Sequence, residues 1–295
     1  DEIQNNLSSL NNLNLGLIFG LVFVLTGLAF KVSAVPFHMW SPDVYEGAPT
    51  SITAFFAIVP KVAAIALIYR FCLEPFGNFY SEWSQIIIFL SIASMFLGAI
   101  AAISQTNIKR LLAYSSIGHV GYVLVGLASA NISGIKGVII YMTIYVIMNI
   151  AVFSIILSLK IRSKYIDQIN ELSGLSKDKP LVALSLAIVM LSMAGIPPFA
   201  GFFGKFYIFI AALNADLILL AVLGVLSSVI SAFYYLRIIK VMYFDESEEF
   251  NIQFIISTKS KLILIISMIF ISLFIFYPSL LTSISSVIAV DYFSN

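Results

Sequence analysis

Residues 51–70 read "SITAFFAIVPKVAAIALIYR". A mostly apolar run of about 20 residues is the length of helix that crosses the hydrocarbon core of a bilayer. Two residues break the run at its centre, Pro60 and Lys61. Roughly 18 Å of apolar helix lies on each side of Lys61, so its ammonium does not easily snorkel to either face. A lysine at the centre of a spanning helix costs about 3 kcal/mol on insertion scales, and such a residue is a functional-site hypothesis by default. Burial favours the neutral amine, so a buried lysine can release and regain a proton near neutral pH. That chemistry suits a proton relay. The structural alternative is a lysine bonded to backbone carbonyls freed by Pro60.

The rest of the chain has the same character. Of its 295 residues, 60% are apolar and 11% charged, far from the roughly 25% charged of an average soluble domain. The fold class is an all-α polytopic membrane protein. A net charge of +1 gives no electrostatic case for nucleic acid. The single cysteine, Cys72, excludes an internal disulfide, a cysteine-ligated iron–sulfur cluster and a Cys-rich zinc site. Two histidines, His38 and His119, are too few for a typical haem or metal centre. There is no P-loop and no dinucleotide glycine fingerprint. The chain begins "DEIQNN", without a methionine or a basic signal-peptide start, and is expected to be the C-terminal part of a longer protein.

Eight segments are expected to span: 13–47, 49–72, 85–105, 110–130, 134–160, 180–214, 216–243 and 260–288. The first and sixth are too long for one straight crossing. Each carries proline inside the run, Pro36 in "KVSAVPFHMW" and Pro197–Pro198 in "AGIPPFAGFFGKF". Proline removes a backbone donor, and freed backbone groups at membrane depth are tolerated only against protein or a wet cavity. Two discontinuous helices are therefore expected, and Gly201 and Gly204 let backbones approach closely at the second. The basic residues fix the sidedness. Lys109, Arg110, Lys160, Arg162, Lys164, Lys177, Lys179, Arg237, Lys240, Lys259 and Lys261 fall on one side, and only Arg70 and Lys136 on the other. The basic side is expected to be cytoplasmic, or matrix in an organelle, with both chain ends on the outer side. The two broken helices then enter from opposite sides, as in inverted-repeat transporters. On this reading 1–84 ends a first repeat, 85–243 is a complete second repeat, and 244–295 is a C-terminal transmembrane helix. The polar loop 162–180 is expected to carry a short surface helix, and 245–250 reads as an acidic turn.

Two more lysines lie inside spanning segments. Lys31 precedes the first break, where half-helix carbonyls and a negative dipole end favour a cation. Lys205 follows the second. For each the alternative is snorkelling from a helix end. All 15 acidic residues fall outside the apolar cores. Buried charges are normally paired, so the three lysines are either often neutral or paired in helices or subunits outside this chain. An intramembrane carboxylate is expected upstream of residue 1. His119 sits mid-segment near Tyr114, Ser115, Ser116 and Tyr122, groups able to pass protons along a water chain. The alternative is a satisfied packing histidine. His38, beside the first break, reads equally as proton group or loop packing. The tyrosines and phenylalanines read mostly as lipid-facing and core filling.

The stretches "FKVSAVPFHMWSPDVYEGAPTSI", "SQTNIKRLLAYSSIGHVGYVLVG" and "MLSMAGIPPFAGFFGKFYIF" resemble the antiporter-like subunits of respiratory complex I. "PDVYEGAP" and "GFFGKFY" resemble its subunit N branch, equivalent to NADH dehydrogenase subunit 2. The resemblance covers roughly residues 14 to 245. It implies a fold of two inverted five-helix repeats, of which this chain resembles the later part. The family's membrane lysines fall on Lys31, Lys61 and Lys205, and its histidine on His119. The family's glutamate on an earlier helix has no counterpart here. The resemblance implies proton translocation coupled to NADH oxidation by quinone in a bacterial or mitochondrial inner membrane, with other membrane subunits and lipid as partners. It places flavin (FMN), iron–sulfur clusters and the NADH and quinone chemistry elsewhere in the complex, with no cofactor in this chain. A cation/proton antiporter or membrane-bound hydrogenase subunit, and a passive membrane scaffold, are the competing readings.

Overall fold

The computed structural model describes residues 7, 14–161, 164–246 and 252–294. The chain start, Arg162 and most of the acidic turn lie outside the described residues. The helices, in order, are α1 (Leu15–Val32), α2 (Trp40–Gly47), α3 (Thr50–Leu73), α4 (Tyr80–Ile103), α5 (Ile108–Ala128), α6 (Ile132–Ile156), α7 (Leu175–Asp178), α8 (Pro180–Ala194), α9 (Ala200–Leu213), α10 (Ile218–Phe244), α11 (Thr258–Leu273) and α12 (Pro278–Ser294). Among the described residues, seven helical stretches are long and apolar enough to cross a membrane. Local chemistry sets several starts. Asn14, Asn107, Asn131 and Ser257 each accept a backbone N–H of the first turn, satisfying donors the helix cannot.

Both expected breaks are present. α1 ends at Val32, and residues 33–39, including Pro36, separate it from α2. α8 ends at Ala194, and Gly195–Phe199, including Pro197 and Pro198, separate it from α9. At about 1.5 Å per residue neither α8 nor α9 spans a core of about 30 Å alone; together they make one crossing. Pro60 behaves differently from expectation. α3 runs through it unbroken, because one missing hydrogen bond does not stop a helix packed along its length. The last crossing also differs. The single helix expected over 260–288 is α11 and α12, separated by a 3₁₀ turn at Phe274–Phe276. Pro278 opens α12, where its missing N–H costs nothing.

The basic face carries the non-helical structure. β1 (Leu159–Ile161) pairs antiparallel with β2 (Lys164–Tyr165) and with β3 (Ile252–Phe254), so the expected end of the fifth segment is a strand. The polar loop carries a 3₁₀ turn at Ile169–Leu172 and the short α7. The basic residues here bond to helix ends: Arg237 donates to the carbonyls of Ile103 and Gln105.

α5 lies at the centre. Of its most apolar 18-residue window, 94% is buried within the protein. Its small residues let α4 come close: a Cβ on Gly98 would sit 2.6 Å from Gly118 N. Small residues at helix crossings are how membrane helices gain packing without a hydrophobic drive. Hydroxyls add hydrogen bonds, Ser91 Oγ to Gly121 O at 2.8 Å and Val35 N to Ser94 Oγ at 2.9 Å. Phe23, Val229 and Ile266 point outward from α1, α10 and α11, as lipid or a neighbouring subunit requires.

Candidate functional site

Because α5 is enclosed, its polar face points into protein. Ser115, Ser116, His119 and Tyr122 are all buried, and the helical period sets them on adjacent turns. Each meets a group from another helix. Lys61 on α3 is 1% exposed, and its Nζ donates to Ser116 Oγ at 2.5 Å. Ser116 Oγ in turn donates to Ala113 O at 2.8 Å. The ammonium also faces the Tyr45 ring, 5.6 Å from its centroid. Lys61 therefore bonds a side chain, not carbonyls freed by Pro60.

His119 is held at both nitrogens. Nδ1 lies 2.6 Å from Tyr141 Oη, and Nε2 lies 3.1 Å from Tyr235 Oη. Tyr235 Oη is also 2.5 Å from Ser115 Oγ. A neutral imidazole donates at one nitrogen and accepts at the other. One tyrosine must then give a proton to the ring and the other receive one. Exchanging the two tautomers would move a proton from one side of the ring to the other.

Lys205 on α9 is 5% exposed. Its Nζ donates to Ala194 O at 2.8 Å and lies 4.9 Å from the Tyr122 ring centroid. Ala194 ends α8, so the ammonium caps a free half-helix carbonyl at the negative end of its dipole. Two glycines make this possible. Gly195 has φ +86°, and a Cβ there would press on the Lys205 side chain. At Gly201 a Cβ would collide with Ser192 O, while Gly201 N donates to Ser192 Oγ at 3.0 Å. Gly204 lies within α9, where a Cβ would crowd Tyr141 at 3.0 Å. Tyr122 Oη reaches Ser227 Oγ at 3.1 Å.

Lys31 lacks the half-helix carbonyls expected beside it. It is exposed on α1 and has no hydrogen bond or ion pair among the described residues. The carbonyls expected to face it are taken: Ala29 O by Ala34 N, and Phe30 O by Ser33 N and the Trp40 indole. The half-helix arrangement expected at Lys31 occurs at Lys205 instead, and Lys205 does not snorkel. His38 is buried beside the first break with Nδ1 unpartnered. Tyr114 is only partly buried and bonds none of these groups. Five tyrosines read as filling lie beside these groups: Tyr45, Tyr141, Tyr145, Tyr234 and Tyr235 are buried, and Tyr145 Oη donates to Ala57 O beside Lys61. The available signal was Tyr141 and Tyr145 at helical spacing on α6.

His119 borders two narrow crevices. Lys61 and Tyr145 line one; Lys205, Tyr122 and Tyr235 line the other. No direct hydrogen bond joins Ser116 to His119, or the His119 group to Lys205, among the described residues. Lys61 and Lys205 likewise have no carboxylate partner among them.

A polytopic helical fold with two discontinuous helices and lysines buried inside it is that of an antiporter-like membrane protein. The chain belongs to the NADH:quinone oxidoreductase/Mrp antiporter transmembrane family, whose sequence model matches residues 1–231. It is 56% identical over 264 residues to NADH-quinone oxidoreductase subunit N of Rhodospirillum rubrum, covering 90% of this chain and 54% of that protein. It is 58% identical over 266 residues to the subunit of the same name in Parvibaculum lavamentivorans, covering 90% and 55%. The chain thus spans about half the length of these relatives. Among solved structures, a chain of respiratory complex I from Thermus thermophilus with bound aureothin superposes with TM-score 0.79 at 29% identity, over 93% of this chain and 60% of that one. A chain of an archaeal membrane-bound sulfane sulfur reductase superposes with TM-score 0.82 at 25% identity, over 98% and 59%.

Proposed function

We propose that this chain is part of a proton-translocating membrane subunit of an NADH:quinone oxidoreductase. The observation that carries the reading is the placement of Lys61 and Lys205 on either side of His119, all three buried with no carboxylate partner among the described residues. Identity above half to relatives named subunit N supports this reading over a cation/proton antiporter. Lys61 takes up and releases the proton, Ser116 holds its ammonium, and His119 passes charge between Tyr141 and Tyr235. Lys205 exchanges with the far end. Two ammoniums in one low-dielectric interior repel each other, so proton arrival at one lysine favours departure from the other. Lys31, exposed on α1, is open to a partner from a neighbouring subunit. The basic face is cytoplasmic in a bacterial inner membrane. Redox cofactors reside in other subunits, and this chain's own residues only hold and move protons.

The test is Lys61→Ala in the full-length subunit within its assembled complex. NADH oxidation and proton uptake are measured in sealed vesicles after assembly is checked. The reading expects both to collapse together. Normal turnover and uptake would overturn it.

A further inference from the structure

We propose that α2 is a lid over Lys61 on the basic face, with Tyr45 as its cover and Arg110 as its latch. The consequence of the lid rests on the relay reading; its geometry does not. α2 has eight residues and is flanked on both sides by non-helical chain, so it can move as a unit. Thr53 Oγ donates to Tyr45 O at 2.9 Å, which fixes Tyr45 against α3 two turns below Lys61 on the basic side. From there the wholly buried Tyr45 ring reaches up to the ammonium. A proton travelling along α3 from the basic face meets this ring before it meets Lys61.

The closed position aligns its polar groups poorly. Tyr45 Oη and Ser41 Oγ, both buried on α2, lie beside each other without hydrogen-bond alignment. Ser116, the hydroxyl that holds Lys61, is a neighbour of the same phenol. Hydrogen bonds weaken steeply as their alignment is lost. A shift that admits water pairs them and extends a hydroxyl path to Ser116.

The latch lies at the start of α5, the helix that carries Ser116 and His119. Arg110 Nη1 bonds Asp43 Oδ1 at 2.6 Å and Glu46 Oε2 at 3.0 Å. Those carboxylates are one turn apart on one face of α2. Beside it Lys109 Nζ donates to Ala48 O at 3.3 Å, just past the end of α2. Lys109 Nζ also lies 3.2 Å from Asp167 Oδ1, an ion pair without hydrogen-bond alignment. Partly exposed ion pairs hold weakly, as a latch that opens in each cycle requires. Tyr45 and Arg110 act through Lys61 and are positioning residues.

Accessibility of position 61 tests the lid separately from the relay. Lys61→Cys is placed in the full-length subunit with Cys72→Ala, in the assembled complex. A positively charged methanethiosulfonate is added to the basic face of sealed vesicles. Labelling of the introduced thiol is followed by mass spectrometry, with and without Arg110→Met. The lid expects the rate to rise about threefold or more, the scale set by two partly exposed ion pairs. Should Arg110→Met fail to assemble, Asp43→Asn with Glu46→Gln removes the same ion pairs isosterically and carries the same expectation. An unchanged labelling rate overturns the lid. Faster labelling alongside normal pumping in Lys61→Ala leaves the lid standing and overturns the relay.

Discussion

Lys61→Met separates what the ammonium does for the fold from what it does for function. Lysine and methionine have similar unbranched length, so the side-chain space stays filled. The substitution removes the bond to Ser116, and bonds to charged groups contribute about 1.5–3 kcal/mol. It also removes a lysine at membrane depth, which costs about 2.5–3.5 kcal/mol on insertion scales. Ser116 keeps its bond to Ala113 O at 2.8 Å, so no hydroxyl is orphaned. The terms leave the variant as stable as the parent or more stable by up to about 2 kcal/mol. Lys61→Ala differs in leaving a cavity, which destabilises by about 2–5 kcal/mol in comparable Met→Ala changes. Thermal shift of the purified complex is therefore expected to hold or rise for Lys61→Met and to fall for Lys61→Ala. Proton uptake is expected to collapse in both. A complex that falls apart with Met would mean that the ammonium anchors the fold, and normal uptake with Met would remove Lys61 from the relay.

Tyr235→Phe removes the phenol shared by His119 Nε2 and Ser115 Oγ; proton uptake is expected to drop at least about tenfold, in the usual range for loss of a proton-transfer group, with assembly intact. Gly201→Ala forces a Cβ into the Ser192 carbonyl, and overpacking of that kind costs about 1–3 kcal/mol; the complex is expected to melt earlier, with weakened pumping because α8 and the Ala194 carbonyl must shift. Arg70→Ala breaks the Glu74 pair, whose arginine side chain is 71% exposed. Thermal shift and turnover are expected to stay unchanged, since solvent screens such an exposed pair.

Apolar length and proline position determined much of this protein by themselves. A run that buries no water-seeking group along about 20 residues has one stable environment, so the crossings were legible. Pro36 and Pro197–Pro198 marked real breaks because each stands with small or polar neighbours that do not continue a helix. Pro60 stands in a strongly apolar helix and marked none, and the break before Pro278 was lost inside an apolar run. Hydropathy reports burial of a segment, not continuity of its hydrogen bonds. It also does not say which face of a helix meets which neighbour. Lys31 and Lys205 read alike in sequence, each beside a proline break, yet one is exposed and the other caps Ala194 O. His119 gained its meaning only from Tyr141 and Tyr235, 22 and 116 residues away along the chain. The types of chemistry were fixed by composition. Their gathering around one helix was decided by α5, which packing encloses so that its hydroxyls and imidazole must find partners on the helices around it.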